Sequence, residues 1–139
     1  MTKLFIDSDV IIDLFMNRKD FVHSARHVIG MLEAKKAEGV TSSLVIANVY
    51  YLLSKHLNKK VALEVIKKLT SIFYIIPIEN SNVLEAVNNP GKDFEDTLQY
   101  LAAISAGCDY LVTRNIKDYK ENDACMPILP EYALSLLSQ

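Results

Sequence analysis

The sequence predicts an α/β protein in which helices cover both faces of a parallel sheet, a three-layer α/β/α sandwich. Short apolar runs alternate with longer segments whose apolar residues have helical spacing, and this alternation is typical of βαβ units. Several of the runs are followed closely by an acidic or hydroxyl residue. Because no Gly-, Ser- or Pro-rich linker divides the chain, we expect a single domain over residues 1–139.

The first predicted strand is LFI at residues 4–6. The helix after it begins at Asp9, a good N-cap residue, and runs toward Asn17. A second helix is predicted over residues 20–38, because its apolar residues have helical spacing and Gly39 follows them. GVTSS, which starts at that glycine, gives a second short strand and a capping turn. The chain therefore begins with a strand, two helices and a strand.

The rest of the chain continues the alternation. Residues 44–57 and 59–72 have helical spacing and lead into the β-branched run FYIIPI. A short helix and the turn NNPG follow, and Asp93 is then a good N-cap for DFEDTLQYLAAISAG, which Gly107 closes. DYLVT and MPIL are the last predicted strands, ahead of a C-terminal helix from Glu131.

Charge and cysteine content narrow the functional classes. The chain has 15 Lys plus Arg against 17 Asp plus Glu, so a nucleic-acid substrate would need a local basic patch. The two cysteines are too few for a disulfide framework and lack metal-ligand spacing, so we expect buried, reduced thiols and a cytoplasmic location. MTK leads directly into LFID without room for a signal peptide, and no apolar stretch is long enough to span a membrane.

Four aspartates lie just past apolar runs or in the first turns of predicted helices. Parallel strands would bring such residues to one open edge of the sheet. Carboxylates that close repel one another, and a hard cation such as Mg²⁺ or Mn²⁺ relieves the repulsion and supports phosphoryl chemistry. The four residues that predict this metal site are Asp7, Asp13, Asp96 and Asp118.

Four segments resemble those of the PIN domain, the small nuclease domain of toxin ribonucleases in toxin–antitoxin pairs. They are FIDSDVIIDLF, the helix around NVYYLL, DFEDTLQYLAA and YLVTRNIKDY, in the order and spacing of that family. The resemblance implies a mainly parallel five-stranded sheet with a Mg²⁺ or Mn²⁺ site at its carboxyl edge. It also implies hydrolysis of RNA phosphodiester bonds by a metal-activated water, a homodimer and an antitoxin partner.

The resemblance assigns roles to individual residues. Asp7, Asp96 and Asp118 match the family's first, third and fourth acids and would be catalytic metal ligands. The second acid is normally Glu, and the matching position is Asn48, which removes a negative charge and should weaken metal binding. Further acids that could supply charge nearby are Asp9, Asp13, Asp93 and Glu95.

Residues just after the strand DYLV would face the same edge. The resemblance makes Thr113 and Asn115 polar partners of the acids. Arg114 and Lys117 could contact RNA phosphates, and a bidentate arginine suits a phosphodiester. These four residues are therefore the predicted substrate-binding group.

Two alternatives to a ribonuclease stay open. The segment ID-S-D-V also resembles the opening of haloacid-dehalogenase-type phosphatases, in which Asp7 would be the nucleophile and Asp9 the general acid. That family needs a further acidic pair after a later strand, which the C-terminal part of the chain does not supply. The second alternative is a non-enzymatic domain that binds RNA or protein, in which Asn48 has disabled the site.

Overall fold

The computed structural model describes residues 1–119 and 124–138, which form one parallel sheet and the helices around it. The strands are β1 (Lys3–Ile6), β2 (Glu38–Ser42), β3 (Phe73–Ile76), β4 (Tyr110–Val112) and β5 (Met126–Ile128). The helices are α1 (Ser8–Phe15), α2 (Val22–Glu33), α3 (Ser43–His56), α4 (Lys59–Ile72), α5 (Asn80–Asn88), α6 (Phe94–Ser105) and α7 (Pro130–Leu137). A short 3₁₀ helix spans Ile116–Asp118.

Within the described residues the sheet has five strands in the order β3-β2-β1-β4-β5, and every neighbouring pair is parallel. Leu4, Phe5 and Ile6 point alternately to the two faces of β1, and all three are buried. Both faces of the sheet are therefore covered, as the apolar character of a central parallel strand requires. The predicted three-layer α/β/α sandwich with five parallel strands is confirmed.

The chain reverses its direction across the sheet after β3. It adds β2 and β3 on one side of β1, then crosses back to place β4 and β5 on the other side. In such sheets a crevice opens at the carboxyl ends of the strands where the order reverses, here β1 and β4. The Asp7 amide donates to the Val112 carbonyl, and the Thr113 amide to the Ile128 carbonyl, each at 3.0 Å. Asp7 and Thr113 thus lie at adjacent strand ends beside the crevice.

Helix α2 is shorter than the sequence pattern indicates. It spans Val22–Glu33 instead of residues 20–38, and Lys35 just beyond it has a φ of 58°, in the left-handed region. Gly39 lies inside β2, where a Cβ would come within 2.9 Å of Cδ1 of Leu32, so glycine allows the strand to approach α2 closely. The prediction that Gly39 stops this helix was wrong.

Helix α1 is capped by Asp7 and not by Asp9. Oδ1 of Asp7 accepts a hydrogen bond from the Ser8 amide at 2.7 Å, and Asp9 lies in the first turn. The prediction that Asp9 is the N-cap was therefore wrong. The N-cap prediction for α6 is confirmed, because Oδ1 of Asp93 accepts from the Asp96 amide at 2.9 Å.

A buried serine connects β2 to two helices at the carboxyl edge. Oγ of Ser42 accepts from the Val45 amide at 3.0 Å and so caps α3, and it donates to Oε1 of Gln99 at 2.9 Å. Gln99 lies one turn after Asp96 on α6. The hydrogen bond between Ser42 and Gln99 therefore helps to hold Asp96 at this edge.

The remaining predicted elements agree with the structure to within two residues at each end. Cys108 and Cys125 are buried free thiols, as the sequence predicts. Among the described helices, none is long and apolar enough to cross a membrane.

Candidate active site

Asp7 lies at the centre of a polar cluster at the carboxyl edge, with only 6% of its surface exposed. Besides the bond from Ser8, its Oδ2 accepts from the Thr113 hydroxyl at 3.0 Å and from the Tyr119 hydroxyl at 2.8 Å. Burial raises the pKa of Asp7, and these hydrogen bonds oppose that rise. The loop after β4 therefore supplies donors that make a buried carboxylate tolerable at the end of an apolar strand.

Asp9 faces the same loop. Its Oδ2 accepts from the Thr113 hydroxyl at 3.2 Å, the Arg114 amide at 3.1 Å and the Asn115 side-chain amide at 3.0 Å. Its Oδ1 is buried and has no hydrogen-bond partner within the described part of the chain. Burial raises the pKa of Asp9 to about 7, and the charge of Asp7 contributes to that rise. An unpartnered buried carboxylate oxygen beside a second carboxylate suits a hard cation.

Helix α6 and the 3₁₀ helix bring further acids to the cluster. Oδ1 of Asp96 lies 3.3 Å from the Tyr119 hydroxyl, which also contacts Asp7. Burial raises the pKa of Asp96 to about 7, and the charge of Asp7 adds to this effect. The charges of Asp93 and Asp118 also raise that pKa. The structure thus places Asp96 near Asp7, with which it shares the Tyr119 hydroxyl, and Asp118 directly precedes Tyr119 at the end of the 3₁₀ helix.

Tyr119 is a member of this cluster that the sequence interpretation missed. Its hydroxyl contacts Asp7 and Asp96, and its ring packs edge-on against Tyr100 with 5.6 Å between the ring centroids. Burial and the nearby acids raise the pKa of Tyr119 above its ordinary value, so the hydroxyl stays a neutral donor. The sequence offers one signal for this role, since Tyr119 directly follows Asp118 in TRNIKDY.

Asn48 is on α3 and lies beside the acid cluster, the group of Asp7, Asp9, Asp96 and Asp118. Its half-buried side chain donates from Nδ2 to Oγ of Ser8 at 3.2 Å, and Ser8 is next to Asp7 in the chain. The helix therefore presents a neutral amide close to Asp7, where the family resemblance leads one to expect glutamate. An amide oxygen is still a hard-cation donor, although it brings no charge.

The buried Asp13 carboxylate pairs with the partly exposed Arg114 guanidinium at the side of the cluster. Asp13 is 1% exposed, and it accepts from Nε of Arg114 at 2.5 Å and from Nη2 at 3.1 Å. The guanidinium also lies over the Phe21 ring, 4.0 Å from its centroid, and Nη1 of Arg18 is 3.6 Å from Asp13. These contacts join the loop after β4 to α1 and give the Asp13 carboxylate a cationic partner from the protein itself. Phosphate binding by Arg114 stays a prediction and would compete with this pair.

The other predicted residues lie around the cluster. Thr113 is buried, and its hydroxyl oxygen accepts from the Asn115 amide at 3.1 Å. Lys117 is exposed, and its backbone carbonyl accepts from Nζ of Lys92 at 3.2 Å. Glu95 is exposed in the first turn of α6. Substrate contacts by these side chains remain predictions.

The donor set suits Mg²⁺ or Mn²⁺. Hard cations take carboxylate oxygens, which Asp7, Asp96 and Asp118 would supply, and Asp9 next to Asp7 has an unpartnered Oδ1. Within residues 1–119 and 124–138, no three acidic, histidine or cysteine side chains are arranged tightly enough to hold an ion as they stand. The Tyr119 hydroxyl occupies one oxygen of Asp7 and contacts one of Asp96. Joint coordination therefore requires the side chains to adjust around that hydroxyl.

Comparison with known proteins identifies the family. Residues 3–117 match the family model described as the PIN domain, which is most of the chain. This chain belongs to the PIN domain family. It is 39% identical over 126 residues to Ribonuclease VapC1 of Aquifex aeolicus (strain VF5), and the match covers 87% of this chain and 86% of that protein. The resemblance to PIN domains predicted from the motifs is confirmed.

Solved structures of this PIN domain's fold include two from toxin systems. A toxin–antitoxin complex from Klebsiella pneumoniae matches with a TM-score of 0.66 and 23% identity, covering 91% of this chain and 97% of the other. Mycobacterium tuberculosis VapC20 is described as a sarcin-ricin loop cleaving toxin. It matches with a TM-score of 0.64 and 13% identity, and the match covers 78% of this chain and 86% of that chain. At these identities the likeness shows the fold alone.

The raised pKa values of Asp9 and Asp96 predict a pH-dependent stability. Both lie at about 7 in the folded chain, against the ordinary value of 3.8. Between pH 3.8 and about 7 the folded state keeps protons on these carboxyl groups that the unfolded state has released, and this proton binding stabilises the fold. The stabilisation is lost as pH rises toward 7. We expect the Tm in EDTA to be lower near pH 8 than near pH 5, and Asp96→Asn to reduce the difference. Identical pH profiles for the two proteins would contradict the raised pKa of Asp96.

Proposed function

We propose that this protein is a metal-dependent ribonuclease that hydrolyses RNA phosphodiester bonds and is the toxin of a toxin–antitoxin pair in the cytoplasm. One observation carries the proposal: Asp7 and Asp96, from opposite halves of the chain, meet at the buried Tyr119 hydroxyl at the carboxyl edge of the sheet. Their repulsion and the unpartnered Oδ1 of Asp9 support a cation at this position. The curated relative from Aquifex aeolicus is named a ribonuclease, which supports the same activity.

Some residues of the cluster would bind the metal, and others orient the carboxylates. Asp7, Asp96 and Asp118 would hold one or two Mg²⁺ or Mn²⁺ ions. When bound, such a cation lowers the pKa of a water and offsets the charge of the phosphate. Thr113 orients Asp7 through its 3.0 Å hydrogen bond, and Asn115 orients Asp9 in the same way at 3.0 Å. The positions of Asp7 and Asp9 thus depend on hydrogen bonds from residues 113–115.

The proposed partners follow from the family and from the relatives. The resemblance to toxin-type PIN domains implies a homodimer and an antitoxin, and a relative from Klebsiella pneumoniae is described as part of a toxin–antitoxin complex. We expect light scattering of the purified chain to give the mass of a dimer. A monomer at micromolar concentration would contradict the proposed homodimer.

Cleavage of a panel of single-stranded RNAs in Mn²⁺, Mg²⁺ or EDTA tests the proposed activity. We expect cutting with either metal and none in EDTA. If the wild type cuts no RNA and binds no Mn²⁺ by calorimetry, the binding-domain alternative gains, in which Asn48 has disabled the site. Hydrolysis of a generic aryl phosphate without RNA cleavage would favour the phosphatase alternative.

Asn48→Glu is expected to tighten Mn²⁺ binding several-fold. The new carboxylate would lie beside Ser8 and Asp7 and would restore one negative charge to a site whose metal affinity depends on charge. Asn48→Gln is the matched control, because it lengthens the side chain without adding charge and should not tighten binding. Calorimetry with Mn²⁺ measures both variants. An unchanged affinity in a folded Asn48→Glu protein would place Asn48 outside the metal site.

A further inference from the structure

We propose that a groove between α5 and α6 binds a nucleotide of the RNA substrate next to the bond that is cut. This inference rests on the proposed ribonuclease function. The α5–α6 groove has a volume of about 510 Å³, and its lining includes Glu85, Asn89, Leu101, Ile104 and Lys117. Binding sites for small ligands typically have volumes of about 300–1,000 Å³, so one nucleotide fits.

The α5–α6 groove borders the acid cluster at Asp118 and Tyr119. Asp118 and Tyr119 line it, and the Tyr119 hydroxyl contacts Asp7 and Asp96. A phosphate at these acids carries its ribose and base with it, since they are covalently attached. The groove is the cavity into which such a neighbouring nucleotide can extend.

The walls of the α5–α6 groove suit a base. Leu101 and Ile104 on α6 are partly exposed and give it apolar surface. Glu85 on α5 and Asn89 just after that helix add a carboxylate and an amide that can hydrogen-bond to base edges. Proteins recognise single-stranded RNA largely through unstacked bases that contact apolar or aromatic side chains and hydrogen-bond along their edges. A splayed base therefore matches this surface.

Two lysines at the α5–α6 groove supply the positive charge that RNA requires. Lys92 and Lys117 both line it, and Nζ of Lys92 is held by the Lys117 carbonyl at 3.2 Å. The chain has a formal net charge of −2, and the neighbouring acids repel phosphate. The two ammonium groups therefore provide a local attraction for the RNA backbone beside the cluster. Two cations beside an apolar wall match one nucleotide, whose backbone is anionic and whose base is flat and largely apolar on its faces.

The loop that carries Lys92 is fixed against α6 before any ligand binds. The Thr97 hydroxyl donates to the Pro90 carbonyl at 2.6 Å. Gly91 has a φ of 65°, and a Cβ there would come within 2.9 Å of Oγ1 of Thr97, so only glycine allows this close packing. The rim of the groove is thus preformed, which lowers the ordering cost of binding.

Binding of a labelled single-stranded RNA tests the groove separately from catalysis. The measurements use Asp96→Asn as a background that should not cut, in Mg²⁺, and follow fluorescence anisotropy across a salt series. Lys117→Ala removes an exposed ammonium group and leaves the backbone carbonyl that Lys92 uses. Leu101→Asp removes apolar surface from the groove wall and adds a charge that repels RNA. The matched controls are Lys36→Ala and Leu63→Asp, which change exposed residues outside it.

We expect Lys117→Ala to weaken RNA binding at least threefold and to reduce the slope of log Kd against log salt by about 0.7, the value for one phosphate contact on a single strand. Leu101→Asp should weaken binding by roughly tenfold, the scale of one lost base contact. Both controls should bind like the background. Melting curves establish that each variant is folded, and Lys117→Ala alone tests the proposal if Leu101→Asp does not fold.

RNA binding within twofold of the background in the folded groove variants would overturn the proposal. A groove that serves a protein partner would give that result. Cleavage by the wild type remains a separate readout. If the wild type cuts RNA and the groove variants bind it normally, the groove assignment is wrong and the ribonuclease proposal stands. If the wild type does not cut, the ribonuclease proposal fails, while weaker binding by the groove variants would still identify an RNA site.

Discussion

Asp7→Asn and Asp96→Asn are each expected to reduce metal-dependent RNA cleavage by more than about 100-fold. Losses of 10- to 100-fold are typical when only an outer contact of a metal ligand is removed, and these changes remove a proposed ligand charge itself. Each leaves a side chain of nearly the same shape. Initial rates on one RNA substrate in Mn²⁺, together with Mn²⁺ affinities by calorimetry, measure the effect. Both quantities should fall together.

Stability separates loss of the site from loss of the fold. Because burial and repulsion raise the pKa of Asp96, its ionised form is unfavourable in the folded state, and a neutral amide should raise the Tm in EDTA near pH 8. An inactive Asp96→Asn protein with an equal or higher Tm therefore supports a catalytic role. Glu64→Gln, an exposed acid on α4, is the control and should keep wild-type activity. Wild-type cleavage by Asp96→Asn would remove Asp96 from the site.

Arg114→Ala is expected to lower the free energy of unfolding by about 3–5 kcal/mol, the scale for leaving a buried charge without its partner. Asp13 is 1% exposed and depends on the two hydrogen bonds from Arg114. Arg18 is 3.6 Å away and 44% exposed, so it compensates only weakly. Urea unfolding at neutral pH in EDTA measures the loss.

Two further variants identify the source of that loss. Arg18→Ala should cost less than about 1 kcal/mol, because the Arg18 side chain is 44% exposed and 3.6 Å from Asp13. The double variant Asp13→Leu with Arg114→Met should recover much of the stability that Arg114→Ala loses, because no charge then remains buried without a partner. A loss below about 1 kcal/mol in Arg114→Ala would contradict the assigned role of this pair.

The order of strands and helices could be predicted because burial on both faces of a parallel sheet leaves continuous apolar runs between amphipathic helices. The end of α2 could not be predicted from the sequence. Lys35 adopts a positive φ, and Gly39 is needed because β2 packs closely against Leu32, which is a tertiary contact. Asp7 and Asp9 both flank Ser8, so the cap of α1 could not be assigned from sequence alone.

The acids of the site could be predicted because parallel strands and helix starts bring their side chains to one edge. The partners of those acids depend on contacts between distant segments. Tyr119 reaches Asp7 and Asp96 only after the loop following β4 has folded back. The position of Arg114 just after β4 predicts a phosphate contact, yet its guanidinium binds Asp13 on α1. Neither the contacts of Tyr119 nor the pairing of Arg114 with Asp13 can be predicted from spacing along the chain.

The chemistry of the RNA ends produced by the wild type tests metal-dependent hydrolysis at the acid cluster most directly. Water attacking the phosphate in line should leave 5′-phosphate and 3′-hydroxyl ends, formed in Mn²⁺ or Mg²⁺ and absent in EDTA. Mass spectrometry of a short cleaved RNA identifies both ends. Products with 2′,3′-cyclic phosphate ends that also form in EDTA would show attack by the ribose hydroxyl without a metal, and would contradict the proposed role of Asp7, Asp96 and Asp118.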